Sequence, residues 1–295
     1  MMQILLLGKN GQLGGEFARI LPQFGTLTAV DYPEIDFTKP DALRQFVGEV
    51  QPGLIVNAAA YTLVDKAEEQ PEIAEAINAT AVRALAEESA RLNAVLVHYS
   101  TDFVYDGTKP TIYVEDDAAN PLSVYGKTKL AGDQAIMAAG GAYFIFRTSW
   151  VYSVGGDQSF VTKVLKWARH HKTLRIVDDQ TGSPTWSKAL ANLTAQVIAK
   201  GGDTCYNFAQ DHGGLYHLSG KGAVNRYEWA RAILALDPGK AEQIVEEIVP
   251  ASSAEFPAPA RRPVHSPLSC ERFEKTFGIE VPPWRAMLEK AMAGK

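Results

Sequence analysis

Gly8, Gly11 and Gly14 follow an apolar run at the start of the chain, and more than a hundred residues later Tyr125 stands four positions before Lys129. The three glycines suit a bed for a dinucleotide pyrophosphate. Glycine permits a tight turn, close approach of backbone to phosphate and close helix-to-strand packing, while the N-terminus of the following helix faces the anion. Tyr125 and Lys129 fall on one helical face, where a nearby ammonium is expected to lower the phenol's pKa and let it exchange a proton near neutrality. The same ammonium can hold a nicotinamide ribose. Thr101, at the end of a strand, can hydrogen-bond the substrate oxygen that Tyr125 serves. Together these residues point to hydride chemistry with NADH or NADPH, Tyr125, Lys129 and Thr101 being the catalytic candidates. Each motif alone has a plainer reading, as a glycine-rich turn or as two side chains on a solvated helix face.

Asp31 lies 17 residues beyond Gly14 at the end of a second strand, where a carboxylate can accept hydrogen bonds from adenosine ribose hydroxyls and would repel a 2′-phosphate. Cofactor preference stays open at this point, with Asp31 leaning towards NADH. Trp150 reads equally as a core aromatic or as a flat wall for a sugar ring. Arg261 and Arg262, in a proline-bounded loop, could grip a diphosphate through forked hydrogen bonds, although a solvated arginine pair is the ordinary case. The six histidines show no metal-ligand spacing, and neither cysteine nor serine sits in a nucleophile motif. No metal site is expected from the residues.

The elements that must carry these groups alternate. Short apolar runs at 4–7, 27–30, 54–56, 95–98 and 143–147 read as strands, and helical spacing recurs at 12–21, 41–50, 73–92 and around Tyr125 and Lys129. Strand–helix alternation predicts an α/β fold, a Rossmann-type doubly wound parallel sheet with a smaller α/β substrate-binding lobe. Residues 1–150 are assigned to the dinucleotide domain, with 172–204, including a strand at 174–177, returning to it; 151–171 and 205–295 are assigned to the second lobe.

The composition is that of a soluble globular chain: 295 residues, 46% hydrophobic and 21% charged, net −5. No long basic run suggests nucleic acid as a partner, no stretch approaches a membrane span, and two distant cysteines argue for a reducing compartment, hence a cytoplasmic location. The start of the chain shows no export signal.

Six strings carry a resemblance: GKNGQLG at 8–14, VNAAAYTLVDKAE at 56–68, HYSTDFVYDG at 98–107, NPLSVYGKTKLAGD at 120–133, FRTSWVYS at 146–153 and PARRP at 259–263. With these the chain resembles, over nearly its whole length, the dTDP-4-dehydrorhamnose reductase family of the extended short-chain dehydrogenase/reductase superfamily. The resemblance implies reduction of the 4-keto group of dTDP-4-dehydro-β-L-rhamnose, the last step in making dTDP-L-rhamnose for surface polysaccharides. It implies Tyr125 as proton donor with Lys129 as its partner, and Thr101 tuning the reacting oxygen while Asp102 and Trp150 hold the sugar. It implies cofactor contacts at Gly11, Gln12, Leu13, Asp31, Asp36, Phe37, Ala60, Tyr61 and Thr62. Some members are homodimers with Mg2+ held by interface glutamates; Glu16 stands at one such position, but Lys188 stands where another acid is expected, which counts against the ion and removes that support for a dimer.

Two other readings compete. A nucleotide-sugar epimerase or dehydratase of the superfamily would share the glycine loop and the Tyr–Lys pair, but a dehydratase would carry an acidic pair beside the threonine, and Asp102 is followed by Phe103. A non-catalytic regulatory subunit on this fold would have no need of Thr101, Tyr125 and Lys129.

Overall fold

The computed structural model describes residues 2–155 and 159–294. Its elements in chain order are β1 (Met2–Leu7), α1 (Gln12–Ile20), β2 (Gly25–Val30), α2 (Pro40–Val50), β3 (Leu54–Asn57), α3 (Val64–Glu69), α4 (Pro71–Glu75), α5 (Ala81–Leu92), β4 (Val95–Thr101), α6 (Val124–Ala139), β5 (Tyr143–Thr148), β6 (Val151–Tyr152), α7 (Phe160–Ala168), β7 (Thr173–Val177), β8 (Thr181–Gly182), β9 (Thr185–Trp186), α8 (Ser187–Gly201), α9 (Cys205–His212), β10 (Gly214–His217), β11 (Val224–Asn225), α10 (Arg226–Ala235), β12 (Glu247–Ala251), α11 (Glu271–Phe277) and α12 (Trp284–Ala293).

Six strands form one parallel sheet in the order β2-β1-β3-β4-β5-β10. The central strands are continuous apolar runs because both faces are covered. Along β1 the side chains alternate between two cores: Ile4 and Leu6 pack with residues of α1, α8, α9 and α11, whereas Leu5 and Leu7 pack with residues of α2, α5 and α6. The chain leaves β1 for one side of the sheet and β3 for the other, so a crevice opens beyond the carboxyl ends of these neighbouring strands. The glycine turn and the Ala58–Ala60 loop meet there.

A second core gathers residues of α7, α10 and α12 around the parallel pair β7 and β12. This corrects the expected domain limits. The strand expected to rejoin the dinucleotide sheet pairs instead with Glu247–Ala251, and the chain returns to the main body with α8, α9 and β10, the last of these adding to β5. The reason is visible in burial: β7 alternates exposed and buried, as suits a small sheet covered on one face, while β1, β3 and β4 are buried along almost their whole length.

Candidate active site

The turn after β1 is built for glycine. Gly8 has φ +84°, and a Cβ there would lie 2.6 Å from the backbone N of Ala59. A Cβ on Gly14 would lie 1.9 Å from the carbonyl O of Gly8, so α1 sits directly on the turn. Gly11 is the N-cap of α1 in extended conformation; no side chain caps the helix and its first turn holds no acid, which leaves backbone N–H groups directed at the crevice. This cradle fits a dinucleotide pyrophosphate.

A cleft of about 450 Å³ runs from this turn across the ends of β3, β4 and β5, lined by Gly11, Gln12, Leu13, Ala58–Ala60, Thr62, Thr101, Asp102, Tyr125, Lys129, Trp150 and Arg226, among others. Residues separated by up to 215 positions in sequence thus share one wall. Helix α6 sets the centre. Ser123 Oγ caps it by accepting the Gly126 N–H at 3.1 Å, and the missing side chain of Gly126 admits the carbonyl of Phe103, which a Cβ would meet at 2.3 Å. That contact draws the first turn of α6 onto the loop after β4, with Tyr125 edge-on to Phe103 at 5.6 Å and its side chain hydrogen-bonded with that of Thr101. The Thr101 hydroxyl also accepts the Phe103 N–H at 3.2 Å and approaches Asp102 Oδ1 at 3.2 Å.

Burial raises the Tyr125 phenol to about 12, against the opposing hydrogen bond with Thr101. The expected lowering by Lys129 is therefore corrected: the lysine Nζ is turned to the Tyr99 carbonyl at 2.7 Å and to His98 Nε2 at 3.1 Å. Burial also lowers Lys129, to about 8, with Asp133 opposing. Asp133 forms a buried ion pair with Arg147 at 3.1 Å and accepts a hydrogen bond from Ser100 Oγ at 2.9 Å. Tyr125, Lys129 and Asp133 are successive i, i+4 positions, so one helical stripe carries the phenol, the amine and its counter-charge.

Asp102 lines the cleft but is already engaged. Its carboxylate accepts from Ser266 at 2.6 Å, Ser149 at 2.9 Å and Thr101 at 3.2 Å, while burial pushes its pKa up against these bonds. Trp150 has φ +45°, an uncommon conformation for a bulky residue, and packs near the ring of Trp229 at 5.5 Å with the guanidinium of Arg226 over its own ring at 4.1 Å.

Other expected residues lie outside the cleft wall. Asp31 accepts the N–H groups of Asn10 at 2.9 Å and Tyr32 at 2.8 Å, binding the end of β2 to the glycine turn. Asp36 is occupied by the N–H and hydroxyl of Thr38, Phe37 is buried in the core, and the Tyr61 backbone is clamped by Asn78, which also reaches Thr128 of α6. Arg262 is paired with Asp65 at 2.7 Å and Arg261 is exposed; neither lines the cleft. Besides Lys129, Arg226 is a cation on the wall, and nothing in its sequence spacing marks it. Burial lowers it to about 10, with Asp102 opposing. Arg226 also borders a second cavity of about 520 Å³, lined by Phe160, Trp167, Leu174, Ile176 and Phe256. At the positions considered for a metal, Glu16 pairs with Arg19 and Lys188 lies over the Trp186 ring. Among the described residues no group of three His, Cys, Asp or Glu could hold a metal ion, and no helix is long and apolar enough to cross a membrane.

The parallel sheet, the glycine cradle at its switch point and the Thr–Tyr–Lys cluster beside it define a Rossmann-type oxidoreductase. The chain belongs to the family described as RmlD substrate binding domain, whose model matches residues 2–294. It is 40% identical over 287 residues to the dTDP-4-dehydrorhamnose reductase of Burkholderia thailandensis, covering 96% of each chain, and 38% identical over 297 residues to that of Escherichia coli, covering 99% of this chain and 97% of the other. A crystal structure of dTDP-4-dehydrorhamnose reductase from Bacillus anthracis in complex with NADP superposes with a TM-score of 0.88 at 31% identity, over 100% of this chain and 99% of that one.

Proposed function

We propose that the protein reduces the 4-keto group of dTDP-4-dehydro-β-L-rhamnose to give dTDP-L-rhamnose, using NADPH or NADH. A bound nicotinamide would supply a hydride to the sugar C4 and be oxidised in doing so. The chain's own residues handle the proton and the placement. Tyr125, kept protonated through neutral pH by burial, gives its phenolic proton to the oxygen at C4 as that oxygen takes up negative charge. Thr101 directs the phenol, and Lys129 presents its Nζ to the cofactor side of the cleft. Gly8, Gly11, Gln12, Leu13 and Gly14 would receive the pyrophosphate end, and Ala60 and Thr62 would border the nicotinamide half. Asp31, Asp36, Phe37 and Tyr61 shape the loops that frame the adenosine half.

Trp150 offers its ring to the sugar, and Arg226, stacked on it, supplies positive charge for the diphosphate. The second cavity shares Arg226 with the cleft, and its aromatic walls would take the nucleotide base. The observation that carries the reading is the single wall joining the glycine turn, Thr101, Tyr125 and Lys129. Tyr125→Phe tests it: turnover is expected to fall about 100-fold or more with NADPH affinity within about twofold of the parent, since the phenol acts mainly in the transition state. Near-parental turnover would remove Tyr125 from the reaction.

A further inference from the structure

Behind the cleft, Lys129 rests on a buried histidine that the reaction does not use directly. Alternation along β4 turns Leu96, His98 and Ser100 towards α6, while Val95, Val97 and Tyr99 face the opposite core. His98 is fully buried, pairs in register with Asn57 of β3, and sits with Nδ1 3.1 Å from Asn57 Nδ2 and Nε2 3.1 Å from Lys129 Nζ. His98 does not line the cleft, so any effect it has on the reaction passes through Lys129.

The hydrogens of this chain of groups are interdependent. Asn57 Oδ1 accepts the N–H of Ala59 at 3.2 Å, and Ala59 lines the cleft beside the glycine turn. With that bond made, Asn57 offers its amide N–H to Nδ1, the imidazole hydrogen lies on Nε2, and Nε2 can donate only to an uncharged lysine amine. When Lys129 is an ammonium, Nε2 must accept, Nδ1 carries the hydrogen, and Asn57 must present its oxygen to the ring and release Ala59. Burial, followed by the nearby lysine charge, keeps the imidazole neutral, so it serves both arrangements without charging. The other ionisable groups facing this point are Tyr125 and Asp133 from α6 and, through Asp133, Arg147 from β5.

We propose that His98, backed by Asn57, is the positioning residue for Lys129: it holds Nζ at the cleft wall and couples the protonation of the lysine to the loop that carries Ala59. The kinetic consequence rests on the reductase reading, while the effect on cofactor binding does not.

The test compares the full chain with His98→Leu, His98→Ala and His98→Gln, measuring NADPH affinity by cofactor fluorescence between pH 6 and 10, and then kcat and KM with the sugar. The parent's affinity is expected to inflect near the lysine pKa. Leucine or alanine removes the acceptor for the ammonium and moves the inflection down by about half a unit to one unit, whereas the glutamine oxygen keeps it at or above the parent's. Loss of kcat with KM for the sugar little changed, restored in the glutamine variant, accompanies the shift. A parent that does not inflect, or one common inflection in the parent and every folded variant, would overturn the proposal. A parent inactive on the sugar whose NADPH-binding inflections still fall in the expected order would overturn the substrate reading and leave His98 in its role.

Discussion

Arg147→Met breaks the buried charge pair that anchors the catalytic helix, together with the hydrogen bond that Arg147 donates to the Tyr105 hydroxyl at 2.9 Å. The Arg147 and Asp133 side chains are 4% and 0% exposed, and their N–O distance is 3.1 Å. Methionine fills much of the arginine stem's volume but leaves the carboxylate with only Ser100 and the more distant charge of Lys129. Removing one partner of a buried pair costs about 3–5 kcal/mol. With an unfolding entropy of about 2.1 cal/mol/K per residue, a chain of this length loses roughly 5–8 °C of melting temperature. The loss is pH-dependent. Burial already raises Asp133, and Arg147 and Lys129 hold it down; without Arg147 its native pKa climbs further above the unfolded value. Stability contributed by a carboxyl with a raised pKa is present at acid pH and is lost as pH rises through the native pKa, so the penalty at pH 8 exceeds that at pH 5. Asp133→Leu combined with Arg147→Met removes both charges and should recover about 2 kcal/mol or more relative to the sum of the single variants. Urea unfolding of the four proteins at both pH values closes the cycle. Additivity within about 0.5 kcal/mol would refute the argument.

Gly14→Ala drives a methyl into the Gly8 carbonyl and should weaken NADPH binding by tenfold or more, whereas Gly15→Ala, whose Cβ meets nothing nearer than 3.8 Å, should leave binding unchanged and gain about 0.5–1 kcal/mol of stability; equal affinities in a fluorescence titration would contradict the cradle. Lys129 is an amine whose native pKa is depressed to about 8, so its cost to stability is full below pH 8 and relaxes as pH rises towards 10.5. Lys129→Met is therefore expected to melt no lower than the parent at pH 7 while losing cofactor affinity and turnover, and a clearly lower melting temperature would count against it. Arg226→Gln should raise KM for the nucleotide sugar about tenfold or more with NADPH affinity unchanged, and an unaltered KM would remove the arginine from the diphosphate site.

The sheet was legible because parallel strands covered on both faces are unbroken apolar runs, and Tyr125 and Lys129 because four-residue spacing fixes a shared helical face. The same logic, carried to Asp133 and back across to His98 and Ser100 of β4, would have exposed the buried network, but these residues read as ordinary polar positions without the strand register. The second lobe was harder. Thr173 and Arg175 alternate with Leu174 and Ile176, a half-buried pattern that separates β7 from the central strands, and Gly214–His217 is too short and too mixed to announce a sheet edge. Arg226 gains its meaning only from stacking on Trp150, which lies 76 positions earlier. The phosphate role expected of Arg261 and Arg262 came from charge and a rigid loop, and Asp65 satisfies Arg262 by a contact nearly two hundred residues away in sequence.

The central claim, that this cleft transfers a hydride to a nucleotide-bound keto sugar, is tested most directly by following reduced-nicotinamide absorbance while mixing the purified protein, NADPH or NADH, and dTDP-4-dehydro-β-L-rhamnose. One reduced cofactor is expected to be lost per sugar consumed, about 100-fold or more slowly in Tyr125→Phe. Cofactor that binds but is not consumed in the presence of the sugar would contradict it.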